Sequence, residues 1–179
     1  AAKIPARRNL AEVRRHPYEQ LKFTIQTDPT RLPDVGNPIL GSAGAVAIGA
    51  RDPLIAFNAY LDTDNVEIAK AIASVVRESG GGLPYLKALG LLVHGRAQVS
   101  MNITDFRKTP LHTILEAVRD EAKKHGAMVT HTELVGLIPQ SALIHSALMY
   151  LGLPTEMASR LLETRVGDVT GDYREIVFE

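Results

Sequence analysis

The chain has 179 residues, 45% of them apolar, with twenty basic and twenty acidic side chains and no cysteine. That length suits one ordinary domain, or a domain with an arm, and the apolar fraction is enough for a core. Balanced charge excludes the broad basic footprint of a nucleic-acid-binding or membrane-surface protein, and the missing cysteines exclude disulfides, thiol nucleophiles and thiolate metal sites.

Residues 1–35 read as a linker or arm. Leu10 and Val13 give a short helical pattern that Pro17 interrupts, and Pro29 and Pro33 forbid a long regular element after it. The N-terminal AAKIPARRNLAEVRR lacks the apolar stretch of a secretory signal, and no apolar run reaches the roughly 18 residues that cross a bilayer. A cytoplasmic protein with neither a nucleic-acid nor a membrane partner is expected. Next comes PDVGNPILGSAGAVAIGAR, residues 33–51, in which Gly36, Gly41, Gly44 and Gly49 allow close backbone approach to something.

From Asp52 a regular order emerges. LIAFNAYL (54–61) reads as a strand. Asp64 and Glu67 have the spacing of a capping pair, Ile68, Ile72, Val75 and Val76 mark one helical face, and Gly80 ends that helix. YLKALGLLV (85–93) and AQVSMNIT (97–104) form a hairpin around a His94-Gly95 turn. Thr109-Pro110 starts a second helix with Leu111, Ile114, Leu115, Val118 and Ala122 on its apolar face, stopped at Gly126. AMVTHTELVGL (127–137) supplies a fourth strand. The order β-α-β-β-α-β is the split βαβ, an α+β ferredoxin-like arrangement with a four-stranded antiparallel sheet and helices on one face. Further helices follow, one carrying Ala142, Leu143, Ala147, Leu148 and Leu151 and one capped by Thr155 with Met157, Ala158, Leu161 and Leu162. The tail VTGDYREIVFE reads as a last strand.

Helices on one face leave the other face to water, a partner or a ligand. Alternation places Gln98, Ser100, Asn102 and Thr104 on one side of the third strand, and Asn58 and Tyr60 on one side of the first. Neutral hydrogen-bonding groups are unusual where Lys and Glu would solvate a surface, although any half-exposed antiparallel sheet alternates in this way. His131 and Glu133 share a strand face two residues apart. That spacing serves an acid/base pair, but it reads first as the polar side of an edge strand.

Other motifs fail on their chemistry. Gly44 to Gly49 has phosphate-loop spacing, but Ala50-Arg51 stands where Lys and Ser or Thr must meet phosphate and magnesium, and a strand follows rather than a helix. His16, His94, His112, His125, His131 and His145 are scattered without metal-ligand spacing, so no metal is expected. His112 and His125 read as solvated or cap-related groups at the helix ends. Ser42 lacks the G-x-S-x-G elbow of a serine hydrolase.

The blocks GARDPLIAFN (49–58), AQVSMNITDF (97–106), TPLHTILEAVRDEA (109–122) and ELVGLIP (133–139), with PDVG and RRNLAEVRRHPYEQL upstream, resemble the glutamate formimidoyltransferase family in order and spacing, from Ala1 to about Arg165. The resemblance implies transfer of a formimino group from N-formiminoglutamate to tetrahydrofolate, the co-substrate, in histidine degradation. It implies two ferredoxin-like sub-domains whose sheets enclose a folate tunnel, with the polar face as one wall. It assigns folate binding to Gly36, Asn37, Pro38, Ile39, Leu40, Gly41, Ser42, Ala43 and Gly44, a stretch one residue shorter than the family's and without its aromatic residue.

Asn58, Gln98, Ser100 and Asn102 are candidates to orient a pterin edge or the glutamate end, because amides both donate and accept, and Arg51 or Arg96 to pair a carboxylate. The family's catalytic histidine belongs to the first sub-domain, in an H-x-x-x-H-P-R-like context absent here; the one His-Pro is His16-Pro17. The expectation is therefore a C-terminal sub-domain over residues 36–179, with no catalytic residue of its own and inactive alone. It would pair with a missing N-terminal sub-domain and form a homodimer. The alternative is a non-catalytic ferredoxin-like module that binds a small ligand or oligomerises.

Overall fold

A computed structural model describes residues 4–7, 9–15 and 17–171. The chain divides into two compact units, Ala1–Arg51 and Asp52–Glu179.

The first unit carries short helices α1 (Leu10–Val13) and α2 (Tyr18–Thr24) and a 3-10 turn at Pro29–Arg31. The sequence suggested only α1. Pro17 does interrupt it, but with extended backbone Pro17 then serves as the N-cap of α2, where its missing N–H costs nothing. Arg7 joins the unit together, pairing with Asp34 at 3.0 Å and donating to the Thr30 carbonyl. Residues 36–51 form no helix or strand; a turn closes from the Gly44 N–H to the Gly41 carbonyl.

The second unit is built from β1 (Ile55–Leu61), α3 (Val66–Val76), β2 (Leu86–Val93), β3 (Arg96–Ile103), α4 (Leu111–Lys124) and β4 (Val129–Val135). The sheet order is β2-β3-β1-β4 with antiparallel pairing throughout, so the fold is the ferredoxin-like α+β arrangement that the pattern implied. On β1, Ile55, Phe57, Ala59 and Leu61 point into the core with Val99, Met101 and Ile103 of β3. They meet Ile72 and Val76 of α3 and Ile114 and Val118 of α4. Each large aliphatic side chain buried here stabilises the fold by about 1.5–3 kcal/mol. The outer face of α4 is charged, with Glu116–Arg119, Asp120–Lys123 and Glu121–Lys124 pairs three residues apart.

Between β2 and β3, His94 (φ 50°) and Gly95 (φ 75°) form the two-residue turn whose twist matches the flanking strands. Gly90 of β2 has a different task. A Cβ there would run into the backbone of Ala69 and Lys70, so glycine lets α3 lie directly on the strand.

Several helix boundaries differ from the sequence reading. Asn65, not Asp64, caps α3, accepting from the Glu67 N–H at 3.1 Å; two adjacent capping residues compete, and the turn geometry selects the second. That helix ends at Val76, four residues before Gly80, and the left-handed position is Gly81 after a 3-10 turn. Pro110 is the extended N-cap of α4, while the Thr109 hydroxyl donates to the Pro84 carbonyl at 2.5 Å instead of capping.

α5 (Gln140–Tyr150) buries Ala142, Ser146 and Leu148, whereas Leu143, Ala147 and Leu151 are exposed. Pro154, not Thr155, occupies the cap before a 3-10 segment at Thr155–Arg160, and extended Leu161 separates it from α6 (Leu162–Thr170). Of the tail read as a strand, Val169 and Thr170 are helical, Gly171 follows the helix, and residues 172–179 lie outside the described residues, as does His16.

Gly90→Ala should lower unfolding free energy by about 2 kcal/mol or more, because neither backbone can yield without separating α3 from β2. Urea unfolding monitored by circular dichroism measures this; a change below about 0.5 kcal/mol, the range of a neutral surface substitution, would show that α3 is not seated as described.

Candidate functional site

The sheet face opposite α3 and α4 is assembled by register. Asn58 of β1 stands between Ser100 of β3 and Glu133 of β4, and Tyr60 stands between Gln98 and His131. Across β2, Leu89 lies beside Ser100 and Leu91 beside Gln98. The face therefore runs from an aliphatic margin on β2, through amides on β3 and β1, to a carboxylate and an imidazole on β4.

The centre is one hydrogen-bonded network. Asn58 Nδ2 and the Tyr60 hydroxyl both donate to Glu133 Oε2, each at 3.2 Å. Gln98 lies directly beside Tyr60 in the β1–β3 register. Gln98 is 3% exposed and Asn58 8%, so both amides are buried on a face against which no helix of the described residues of this unit packs. Loss of solvation raises the Tyr60 phenol above its ordinary value of 10.0, and the adjacent Glu133 carboxylate raises it further.

β4 contains a bulge that shapes the network. Tyr60 pairs with His131 and Leu61 with Val129, leaving Thr130 as the extra residue. The Thr130 hydroxyl donates to the Tyr60 carbonyl and lies 2.9 Å from His131 Nδ1. The His131 ring stacks on Tyr60 with centroids 4.5 Å apart and planes 7° apart, making a flat aromatic slab beside Glu133.

Of the residues singled out from sequence, Asn58 enters this network and Gln98 stands beside Tyr60 in the strand register. Ser100 and Asn102 share its face but are not hydrogen-bonded into it; Asn102 is exposed, opposite Ala56 and Lys87. Arg51 and Gly36–Gly44 belong to the first compact unit. Arg96 lines a shallow recess of about 330 Å³ with Asp62, Thr63, Asp64, Gly95 and Thr130. Two carboxylates beside one guanidinium make that recess a poor seat for an anion. Tyr60 and Glu133 were missed as a pair. The face alternation contained both, but only the cross-strand register brings them together.

A second titratable cluster lies between α4 and α5. His112 and His145 meet edge to face at 5.5 Å, and Tyr150 donates to Glu116, which also binds Arg119. Desolvation first, and His145 second, push the His112 pKa below its usual range, and its Nδ1 is buried without a hydrogen bond. His112 is thus a packing group rather than the solvated helix-end group read from sequence. Among the described residues no cluster of three metal-ligating side chains occurs, and no helix is long and apolar enough to cross a membrane.

Comparison with known proteins follows the same residues. A family model described as the formiminotransferase domain matches residues 56–164. A glutamate formimidoyltransferase of Thermoplasma acidophilum is 43% identical, the match covering 93% of this chain and 56% of that protein. One of Streptococcus pyogenes serotype M1 is 44% identical over 84% of this chain and 51% of its own length. A formimidoyltransferase-cyclodeaminase of Rattus norvegicus is 36% identical over 93% of this chain and 33% of its length. The chain thus spans about half the length of the first two curated relatives.

Glu133→Gln should bring the Tyr60 pKa down toward the ordinary phenol value, because the carboxylate opposes tyrosinate formation; burial keeps it somewhat elevated. Titration of ¹³C-labelled tyrosine by NMR reads this directly, and an unmoved Tyr60 transition would contradict the network. Since the folded-state value lies above the unfolded one, the stability linked to this group is complete below about pH 10 and is lost as pH rises through the folded-state transition.

Proposed function

The chain belongs to the formiminotransferase domain family, and from that footing we propose that its open sheet face is the folate-binding wall of a glutamate formimidoyltransferase. In this reading a formimino group passes from N-formiminoglutamate to tetrahydrofolate, as a step of histidine degradation in the cytoplasm. The observation that carries it is the polar cluster of Gln98, Tyr60, Glu133 and Asn58 on the uncovered face, within the segment that matches the family. Oriented amides beside an aromatic slab suit a flat heterocycle with donors and acceptors on its edge. The aliphatic margin of Leu89 and Leu91, 61% and 41% exposed, suits the apolar part of the same ligand.

Gly36–Gly44 is proposed to bind folate through its main chain. The turn from Gly41 to Gly44 offers main-chain groups without side-chain bulk, consistent with that role. Ser100, Asn102 and Arg51 are assigned to substrate orientation as part of the same proposal. The acid/base group is proposed to come from a sub-domain outside these residues. Among the described residues the histidine paired with a carboxylate is His125, 3.6 Å from Glu121 on α4, away from the open face. The working enzyme would be a homodimer of such two-part units.

Calorimetric titration of the 179-residue chain with 5-formyltetrahydrofolate should give saturable heat, while the same chain should give no formimino transfer above background. Absence of binding would contradict the folate assignment. Turnover matching that of a full-length relative would contradict the external acid/base group.

A further inference from the structure

Glu133 is held unusually firmly for an exposed carboxylate. Both donors that fix it, Asn58 Nδ2 and the Tyr60 hydroxyl, use the same oxygen, Oε2. Oε1 has no hydrogen-bond partner among the described residues. The donors are themselves positioned, since Asn58 is buried in the centre of the sheet and Tyr60 is stacked on His131 and flanked by Gln98 in the strand register. A carboxylate solvated for its own sake has no need of this support. One whose first oxygen is anchored and whose second is left available is arranged to receive a ligand donor at that second oxygen.

We propose that Glu133 is the substrate-binding residue for a planar N–C–N donor edge, with Asn58 and Tyr60 as its positioning residues and the Tyr60–His131 slab flanking the ligand plane. One N–H of such an edge can meet Oε1, while Oε2 keeps the two donors it already accepts. The inference rests on the transferase reading, because both of that reaction's substrates carry such an edge. The pterin ring has an amino group and a ring N–H on either side of one carbon, and the formimino group is an amidine. Negative charge suits the amidinium form best, and the flat slab suits the pterin best. The shared chemistry assigns the residue, and the ligand arms below separate the sources.

The full 179-residue chain, wild type and Glu133→Gln, is titrated separately with 5-formyltetrahydrofolate and with N-formimino-L-glutamate. Gln keeps an acceptor for Asn58 and Tyr60 but replaces the other oxygen with a competing donor. Glu133→Gln should therefore weaken one ligand by about 10- to 100-fold, the worth of a charge-assisted hydrogen bond, and the other by less than about twofold. Loss confined to 5-formyltetrahydrofolate assigns the pterin edge, and loss confined to N-formimino-L-glutamate assigns the amidine.

Tyr60→Phe, which leaves the carboxylate but loosens it, should weaken the same ligand by a smaller factor. Unchanged affinity of Glu133→Gln for both ligands overturns the inference while leaving the functional reading intact. Equal loss of both, with an unaltered thermal transition, also overturns it. Wild-type chain that binds neither ligand overturns the functional reading and the inference with it.

Discussion

Backbone lies on backbone where α3 crosses β2, and Gly90 is what permits it. A side chain at that position would lift the helix from the strand and open the core shared by Ile72, Val76, Leu86 and Ala88. With α3 seated on β2 and β3, and α4 against β1 and β4, the apolar sides of β1, β2 and β3 face one helical layer, while β4 stays largely exposed. Among the described residues of this unit, no helix lies on the opposite side. Its groups must therefore satisfy one another, and Asn58 and Tyr60 do so by sharing the Glu133 carboxylate. The asymmetry of the sheet is thus the cause of the site.

That network has the character of a binding surface rather than of a complete catalytic centre. Its members are anchored by neighbours on three adjacent strands, which removes most of the entropy a ligand would otherwise have to freeze. Its one carboxylate is oriented, its one imidazole is stacked and held by Thr130, and its amides offer both donors and acceptors. Under the proposed function, these features would orient substrate.

Much of the second unit was legible from sequence because its signals are local. Strand alternation in IAFNAYL and RAQVSMNI gave both faces, and the spacing of Leu111, Ile114, Val118 and Ala122 gave the buried side of α4. Less local signals were harder to read. Asp64 and Asn65 are both good caps, and only the turn geometry separates them. In QSALIHSALMY the apolar residues surround α5, so the buried stripe cannot be read from spacing. Among the site residues, Asn58 and Gln98 were visible as neutral groups on an uncovered face. Glu133 and Tyr60 were not visible as partners, since their contact depends on the β1–β4 register and on the Thr130 bulge, both long-range features.

The central claim is that ligand occupies the open sheet face. Backbone amide chemical shifts of the ¹⁵N-labelled chain, followed during addition of 5-formyltetrahydrofolate, test it most directly. The account predicts the largest shifts at Asn58, Tyr60, Gln98 and Glu133, with α3 and the outer side of α4 unaffected. Shifts confined to α3 and α4, with those four residues unmoved, would contradict it.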